Sequence, residues 1–332
     1  MKVVHLVLSK SFGGLELHVD ELVKEQNCTI NAVIICNKEI ASKFSTTEQV
    51  ITIENFYRFS ILSYYNIISI LKDLDPDIIH THGSKTTTVV NIIKWFFSIK
   101  HISTIHGKKS NLALYQKSDY VIGVNKNFLQ SIKVPHSTIH NWWKPSLPKN
   151  LPRANHYILA IGRLEKVKGF DILIKAWKSI NKKLIIIGCG KEKKTLHQLV
   201  RTYKLDDYIS IIPSMSNENL IRYYQNASTL IVSSRREGCQ RVVLEALYLK
   251  IPVLSTRVGT VDLILPDQFL APPNNVEALR KLLKKHLCTN EEIDQKKEFQ
   301  LVKEQYSLTK KCEETINAYK KIYVPKKNTI LT

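Results

Sequence analysis

Short apolar runs rich in β-branched residues alternate with amphipathic segments along most of the chain. Near-continuous apolar strands separated by helices are typical of a parallel sheet that is covered on both faces. The pattern therefore predicts a doubly wound α/β layout. In the first half the predicted strands are residues 3–9, 30–36, 50–53, 77–82, 101–106, 120–124 and 137–141, and the predicted helices include 15–26, 60–74, 84–97 and 126–132.

The alternation stops at residues 142–155, WWKPSLPKNLPRAN, where three prolines and the lack of any period favour a linker. It then resumes, and a last helical segment at 308–322 follows after the second sheet is complete. We therefore predict two domains, residues 1–141 and 156–307, with the C-terminal segment 308–332 crossing back to the first. In the second half the predicted strands are 157–162, 183–188, 208–213, 228–233, 252–256 and 269–271, and the helices are 169–179, 191–203, 216–226, 241–250 and 275–287.

Composition narrows the class of protein. The chain has 332 residues, 44% of them apolar, and a formal net charge of +20. This charge favours an anionic partner, which is a nucleic acid, an acidic membrane surface or a phosphorylated substrate. No stretch approaches the ~20 apolar residues of a spanning helix, and the first apolar run is too short for a signal peptide. The six cysteines lack CxxC spacing, so we expect reduced thiols in a cytoplasmic protein.

Ligands of open parallel sheets bind at the carboxyl ends of the strands, so the turns that follow strands carry the candidate residues. Gly13–Gly14 stand just before a helix, where glycine lets a backbone approach a phosphate. Arg163 and Lys168 follow the strand at 157–162, and a bidentate arginine with a point-charge lysine suits a diphosphate. The alternative is that both cations are solvated loop residues.

Two glutamates lie eight positions apart around another strand-to-helix junction. Glu237, beside Gly238, is in the loop after the strand at 228–233, and Glu245 is inside the next helix. Two such carboxylates can accept from the sugar and ribose hydroxyls of a nucleotide-sugar. The alternatives are a first-turn acid favoured by the helix dipole for Glu237 and an ion pair with Arg241 for Glu245.

Several segments together resemble a known family. EGCQRVVLEA resembles the E-x7-E motif of the retaining glycosyltransferases of family 4, which have the GT-B fold, and IGRLEKVKGFDILIKA resembles their G-R-L-x-x-x-K-G segment. Gly-Gly at 13–14, DIIHTHGSK and TIHG resemble first-domain motifs, and the set runs in order over almost the whole chain. The resemblance implies two Rossmann-like doubly wound domains facing a central cleft. The first would bind the acceptor and the second the nucleotide-sugar.

The resemblance also implies roles for the second domain. Arg163 and Lys168 would hold the donor diphosphate, Glu237 with Gly238 would contact the transferred sugar, and Glu245 would accept from the ribose. The family's retaining transfer uses the departing phosphate to help deprotonate the acceptor, so no dedicated general base is expected. No cofactor or metal is expected either, because Arg163 and Lys168 supply the positive charge that a metal would bring. Cys239 and Gln240 depart from the family's usual residues, but neither change removes a charged role.

In the first domain the resemblance places Gly14 beside the phosphates and His106 on the reacting face of the sugar. His80 and His82 alternate on one strand end. We interpret His80 as a packed histidine, whereas His82 is predicted either to contact the acceptor or to be packed as well. The D-x-D at 73–75 is similar to a motif of metal-binding transferases, but it enters a strand and so lies at the wrong end of the sheet.

The predicted function is retaining transfer of a hexose or N-acetylhexosamine from a UDP-sugar to a saccharide or glycolipid acceptor in bacterial lipopolysaccharide or other surface glycan synthesis. The segment NIIKWFFSIK, with Lys85 and Lys108–Lys109, predicts either a membrane-facing surface on the inner face of the plasma membrane or a core helix with lysines at its rim. A nucleotide-sugar epimerase of GT-B architecture and a basic nucleic-acid-binding protein are the alternatives. The chain has no recognisable nucleic-acid module, so no nucleic-acid partner is expected.

Overall fold

The protein forms two compact units in a computed structural model. Unit 1 consists of Met1–His140 with Leu308–Thr332, and unit 2 consists of Asn141–Ser307. Cys239 and Lys108–Lys109 lie outside the described part of the chain. The structure describes residues 1–45, 47–54, 56–107, 111–144, 146–148, 154–238, 240–289 and 293–325.

Unit 1 contains a seven-stranded, wholly parallel sheet in the order β3-β2-β1-β4-β5-β6-β7. The strand order reverses between β1 and β4, which is where ligands of doubly wound sheets bind. The strands are β1 (Lys2–Val7), β2 (Asn31–Asn37), β3 (Val50–Ile53), β4 (Ile78–His82), β5 (Lys100–Ile105), β6 (Tyr120–Gly123) and β7 (His136–Thr138). The α-helices of this unit are α1 (Gly14–Gln26), α2 (Lys38–Ala41), α3 (Ile61–Leu74), α4 (Ser84–Ile93) and the C-terminal α11 (Leu308–Lys320).

Unit 2 repeats the layout with a six-stranded parallel sheet in the order β10-β9-β8-β11-β12-β13. Here the order reverses between β8 and β11. The strands are β8 (Tyr157–Ile161), β9 (Leu184–Ile187), β10 (Ile209–Ile212), β11 (Ala227–Val232), β12 (Val253–Thr256) and β13 (Leu270–Ala271). The helices are α5 (Phe170–Ala176), α6 (Lys193–Thr202), α7 (Asn217–Asn226), α8 (Arg241–Tyr248), α9 (Val276–Leu287) and α10 (Lys296–Gln305).

Both sheets are buried on both faces, as the near-continuous apolar strands predict. Val3 and Val4 of β1 and Leu159 of β8 are fully buried, and Trp177, directly after α5, is buried in the same core as Leu159. These features confirm the prediction of two Rossmann-like, doubly wound domains.

The segment NIIKWFFSIK divides between the two interpretations given to it. Its first part belongs to α4, where Ile93 packs in the core, but Ile92, Trp95 and Phe96 are exposed. The chain leaves the helix at Lys94, so the expected helix to residue 97 is too long. Within the described residues, none of the helices is both long enough and apolar enough to cross a bilayer.

Candidate active site

The turn after β8 is held against the loop after β11 by a close backbone contact. A short 3-10 turn, Lys166–Lys168, leads to Gly169, whose φ of 67° is in the left-handed region. A Cβ at Gly169 would lie 2.0 Å from the carbonyl oxygen of Ser233, so only glycine fits. The Ser233 hydroxyl also donates to the Lys168 carbonyl at 3.0 Å. The loops that carry Lys168 and Glu237 are therefore fixed side by side at the carboxyl ends of neighbouring strands.

Lys168 and Glu237, predicted separately as diphosphate and sugar contacts, form an ion pair. The Lys168 Nζ lies 2.6 Å from Glu237 Oε1, and both side chains are largely buried. The Ser234 hydroxyl donates to the same oxygen at 2.7 Å. In the described part of the chain both bonds go to Oε1, so Oε2 is left to accept from a ligand. An ammonium has three donors, and it can therefore hold a second anion beside Glu237.

Arg163 is the more exposed of the two predicted diphosphate ligands. Its side chain is 72% exposed and lies 2.9 Å from Glu165 in a surface ion pair. Such pairs contribute little to stability, so the guanidinium is readily redirected towards an anion. The Arg163 guanidinium can therefore turn towards a diphosphate, but its position in this structure is not by itself that of a diphosphate ligand.

Glu237 lies in the loop well before the helix rather than in its first turn. Helix α8 begins at Arg241, with Gln240 as its N-cap and no acidic residue in its first turn. The Gln240 amide donates to the Val258 carbonyl at 2.8 Å, which fixes the end of the loop. The geometry therefore argues against the alternative that Glu237 is a first-turn acid of α8.

Glu245 is half-buried in α8 and has a partner that the sequence did not indicate. The hydroxyl of Tyr224, on α7, donates to Glu245 Oε2 at 2.9 Å. Burial, and then the charge of Glu245, raises the pKa of Tyr224 well above its ordinary value. The tyrosine is thus a permanent donor that fixes the carboxylate.

Arg235 and Asp171 clamp the two loops together. The guanidinium donates from Nη1 and Nη2 to the two carboxylate oxygens, each at 2.7 Å, and Nη1 also donates to the Lys166 carbonyl at 2.6 Å. Burial alone would raise the pKa of Asp171, but the bonds and charge of Arg235 lower it below its ordinary value. No sequence pattern indicates a pair this far apart in the chain, and we did not predict it.

The glycines of the predicted site differ in what they allow. Gly14 is the first residue of α1, and a Cβ added there would meet nothing within 4 Å. Packing therefore does not require glycine at this position, whereas a close ligand would. By contrast, a Cβ on Gly188 would lie 1.9 Å from the Gly162 carbonyl oxygen, so this glycine serves to pack two loops. Gly238 is half-buried in the loop that carries Glu237.

A row of hydrogen-bonded histidines lies in unit 1 at the carboxyl end of its sheet. His82 Nδ1 is 3.1 Å from His106 Nε2, and His82 Nε2 is 2.9 Å from His5 Nδ1. His5 Nε2 is in turn 2.8 Å from Gln26 Oε1. His82 is buried and has both ring nitrogens engaged, while His106 is only half-buried. The predicted contact of His82 with the acceptor stays a prediction, but its geometry is that of a residue that orients His106.

His80 belongs to the same buried network, as a packed histidine. Its Nδ1 is 2.7 Å from the hydroxyl of Tyr319 on α11, and its Nε2 is 2.6 Å from Thr104 Oγ1. Burial, and then the charges of neighbouring histidines, lowers the pKa of His80 and of His82 well below the ordinary value. Burial also lowers the pKa of His5 to about 4, against the effect of its bond to Gln26. These rings are therefore neutral at physiological pH.

Neutral imidazoles are also metal ligands, and two histidine triads are compact enough to hold an ion. These are His5, His80 and His82, and His18, His82 and His106. However, ring nitrogens of His5, His80, His82 and His106 are already satisfied within the network. The D-x-D at 73–75 ends α3 and precedes β4, at the opposite end of the sheet.

Three residues of this network, His5, His18 and Tyr319, are not predicted from the sequence. His5 was interpreted only as one residue of a buried first strand, yet its register opposite His80 places the two rings together. The His18 ring meets the His106 ring edge-on with centroids 4.7 Å apart. Tyr319 comes from the far end of the chain, so no local pattern could connect it with a histidine on β4.

Comparisons with known proteins indicate the family of the chain. The family model for Glycosyltransferase Family 4 matches residues 12–163, and that for Glycosyl transferases group 1 matches residues 146–300. An uncharacterized glycosyltransferase of Methanocaldococcus jannaschii is 30% identical, with 85% of this chain and 86% of that protein covered. The amylovoran biosynthesis glycosyltransferase AmsD of Erwinia amylovora is 29% identical, over 36% of this chain and 34% of its own.

Solved structures show the same fold at low identity. HepE of Anabaena, in complex with UDP, has a TM-score of 0.84 at 16% identity, with 97% of this chain and 100% of that chain covered. The lipopolysaccharide outer core galactosyltransferase WaaB has a TM-score of 0.80 at 18% identity, with 97% and 99% covered. Of the three function classes considered, the family models and relatives support the glycosyltransferase. The chain therefore belongs to the family 4-type glycosyltransferases of the GT-B fold and is a transferase enzyme.

Proposed function

We propose that this enzyme transfers a hexosyl or N-acetylhexosaminyl group from a UDP-sugar, with retention of configuration, to a saccharide or glycolipid acceptor in bacterial surface glycan synthesis, such as that of lipopolysaccharide. The observation that carries the proposal is the Lys168–Glu237–Ser234 group at the carboxyl ends of β8 and β11. It combines a cation for a leaving diphosphate with an acceptor for sugar hydroxyls in one fixed place.

Relatives and structural neighbours support the choice of donor and acceptor. HepE is known in complexes with UDP and with UDP-glucose, WaaB is a lipopolysaccharide galactosyltransferase, and AmsD acts in amylovoran biosynthesis. These proteins thus favour a UDP-hexose as the donor class and a surface glycan as the acceptor class.

In the proposed reaction, the bond between the anomeric carbon and the diphosphate oxygen breaks, and its electron pair leaves with the nucleoside diphosphate. The acceptor hydroxyl attacks the same face of the sugar, and its proton passes to the departing phosphate oxygen. Lys168 and Arg163 stabilise the charge that develops on that phosphate. Because Lys168 also holds Glu237, the sugar contact and the phosphate contact share one cation.

Glu245 is proposed to accept from the ribose through the oxygen that Tyr224 does not occupy. Gly14 is proposed to let the backbone of unit 1 approach the phosphates, and His106 to contact the reacting face of the sugar, with its ring oriented by His82. Transfer is proposed to need no metal, since Arg163 and Lys168 bring the positive charge that a metal would supply. Activity that survives a chelator checks this, and loss of activity with rescue by Mg²⁺ or Mn²⁺ would refute it.

Calorimetry with UDP and a panel of UDP-sugars tests the donor assignment. Arg163→Ala and Lys168→Ala should each weaken UDP binding by about 1.5–3 kcal/mol, the usual worth of a bond to a charged group. Lys166→Ala removes a neighbouring exposed cation from the same turn and should bind like the parent. Lys168→Ala should also lower turnover, because it releases Glu237. If both variants bind UDP undiminished, the diphosphate assignment is wrong.

A further inference from the structure

Most of the exposed large apolar side chains belong to two segments of unit 1. Phe59 is 94% exposed and Trp95 is 81% exposed. Exposed apolar patches of this kind mark interaction sites on soluble domains. The set consists of Tyr57, Phe59, Ile61, Leu62 and Tyr65 around the start of α3, and Ile92, Trp95 and Phe96 at the end of α4.

Two cavities run along α4, and the exposed Ile92, Trp95 and Phe96 line one of them. The apolar cavity, of about 470 Å³, lies at the C-terminal half of the helix, and the basic cavity, of about 500 Å³, lies at its N-terminus. Both are lined by Thr88 and Leu114, so they are contiguous. The lining of the apolar cavity includes Asn91, Ile92, Trp95, Phe96 and Lys117, and that of the basic cavity includes Phe56, Arg58, Tyr64, Ser84 and Lys85.

The basic cavity has the charge and position of an anion site. Arg58 and Lys85 line it, and Ser84 opens α4, whose N-terminus favours negative charge. Lys85 is held by a bond of 2.7 Å from its Nζ to the Leu8 carbonyl, with the ammonium 5.6 Å from the Phe56 ring centroid. Among the described residues that line the two cavities there is no carboxylate.

The basic cavity also opens at the reactive end of the sheet. Phe56 follows β3, Ser84 follows β4 and Asn111 follows β5, so the cavity lies at the carboxyl ends of three parallel strands. Ligands of such sheets bind at this end, which also carries His82 and His106. The apolar cavity extends away from it along α4, whose ten residues span about 14 Å.

Asn91 is a polar residue in the wall of the apolar cavity. Asn91 is 9% exposed, its Nδ2 donates to the Leu114 carbonyl at 2.7 Å, and its Oδ1 has no partner among the described residues.

From these observations we infer that the two cavities bind one amphiphile, with its anionic head at Arg58 and Lys85 and its apolar chain along Ile92, Trp95 and Phe96. The occupant is the acceptor in a lipid-linked form, a saccharide joined through phosphate to a long apolar chain. This inference rests on the proposed function, since it names the acceptor class of the same transfer. The basic cavity complements an anionic head, and it is contiguous with the apolar cavity. One amphiphile therefore fits the two cavities better than the surface of a lipid bilayer does.

The test is calorimetry with dodecyl phosphate kept below its aggregation concentration. Dodecyl maltoside carries the same chain without the charge, and glycerol phosphate carries the charge without the chain. The expected result is one-to-one binding of dodecyl phosphate, at least about tenfold tighter than either control compound, because only it uses both cavities. Equal affinity for dodecyl phosphate and dodecyl maltoside would overturn the inference.

Matched variants locate the site. Arg58→Gln and Trp95→Ala should each weaken dodecyl phosphate binding by about tenfold, by removing a charge contact and an apolar contact respectively. Lys72→Gln and Tyr203→Ala, which remove an exposed cation and an exposed aromatic ring elsewhere, should leave it unchanged. Equal weakening in the control variants would overturn the inference. The inference would also be overturned if Arg58→Gln or Trp95→Ala lost binding to anionic vesicles but kept binding to dodecyl phosphate, because the surface would then bind a bilayer.

The same samples separate the two proposals. All four variants should bind UDP like the parent, because none of the substituted residues is assigned to the donor. If the parent binds dodecyl phosphate as expected but no nucleotide, the proposed function fails and the amphiphile site stands. If it binds UDP but not dodecyl phosphate, the lipid-linked acceptor is wrong and the donor assignment stands.

Discussion

At the scale of single residues, the ion pair of Lys168 with Glu237 changes how the site is understood. The family resemblance assigns the diphosphate to Lys168 and the sugar to Glu237. However, Lys168 Nζ is only 2.6 Å from Glu237 Oε1, so the two side chains act as one unit. A largely buried pair of this kind depends on both partners, since removing one leaves an uncompensated charge. The resemblance could identify these residues because motifs are local, whereas partners such as Asp171, Tyr224 and Tyr319 come from distant positions that no motif includes.

The two glutamates should lose function in different ways. Glu237→Ala should leave UDP binding nearly intact and lower turnover, because a sugar contact matters as the bond to phosphate breaks. Glu245→Ala should weaken UDP and donor alike, since both carry the ribose. Calorimetry with UDP and steady-state transfer rates measure the two effects. Parental turnover in Glu237→Ala, or undiminished UDP binding in Glu245→Ala, would contradict the assignment.

Tyr224→Phe is the control for the second glutamate. It keeps the Glu245 carboxylate but removes the hydroxyl that donates to Oε2. UDP binding should fall by less than in Glu245→Ala, because the carboxylate remains but is no longer fixed. If the two variants weaken UDP equally, the tyrosine rather than the glutamate makes the contact.

At the scale of elements, the sequence predicts thirteen strands and the structure contains strands at all of these places. Parallel strands that are buried on both faces can be predicted from the sequence alone, because each is a short continuous run of apolar residues. The apolar pattern does not predict helix α10, because KKEFQLVKEQ is mostly polar and Val302 is its only fully buried residue. The pattern predicts an end of α4 that is too late, because the apolar Trp95 and Phe96 that follow the helix look like a continuing core face.

The Tyr319 hydroxyl should contribute to the attachment of helix α11. The Tyr319 hydroxyl is 2.7 Å from His80 Nδ1 and accepts from Gln26 Nε2 at 2.9 Å. Tyr319→Phe leaves both buried groups without this partner, and should lower the free energy of unfolding by about 1–3 kcal/mol. Urea denaturation measures it. Tyr65→Phe, which removes an exposed hydroxyl on α3, is the control, and equal stability of the two variants would show that the bonds contribute nothing.

At the scale of the whole molecule, stability should fall in mild acid. The pKa values of His5, His80, His82 and His101 are lowered, chiefly by burial, to about 4 for His5 and about 3 for His101. The folded protein therefore keeps these rings neutral while the unfolded chain takes up protons below its pKa of about 6.5. Stability is fully present above that pH and is lost as the pH falls towards about 4. Each ring contributes a slope of up to about 1.4 kcal/mol per pH unit.

Urea denaturation between about pH 7.5 and pH 5 measures the slope. His101→Gln should reduce it by about one histidine's share, whereas His136→Gln, at an exposed position, should leave it unchanged. A free energy of unfolding that is flat across this range would mean that the rings are already charged in the folded protein, against the burial seen here.

The net charge of +20, with the exposed aromatic side chains of unit 1, leads to the last prediction. Binding to anionic vesicles should have an electrostatic part that salt removes, because the screening length falls from ~10 Å at ~0.1 M to ~3 Å at ~1 M salt. It should also have an apolar part that survives salt and that Trp95→Ser reduces. Vesicle sedimentation at low and high salt separates the two, with Leu263→Ser in unit 2 as the control for loss of an exposed apolar side chain. Equal binding to neutral and anionic vesicles, or binding to neither, would rule out a peripheral position on an anionic membrane and leave the positive charge to serve soluble anions.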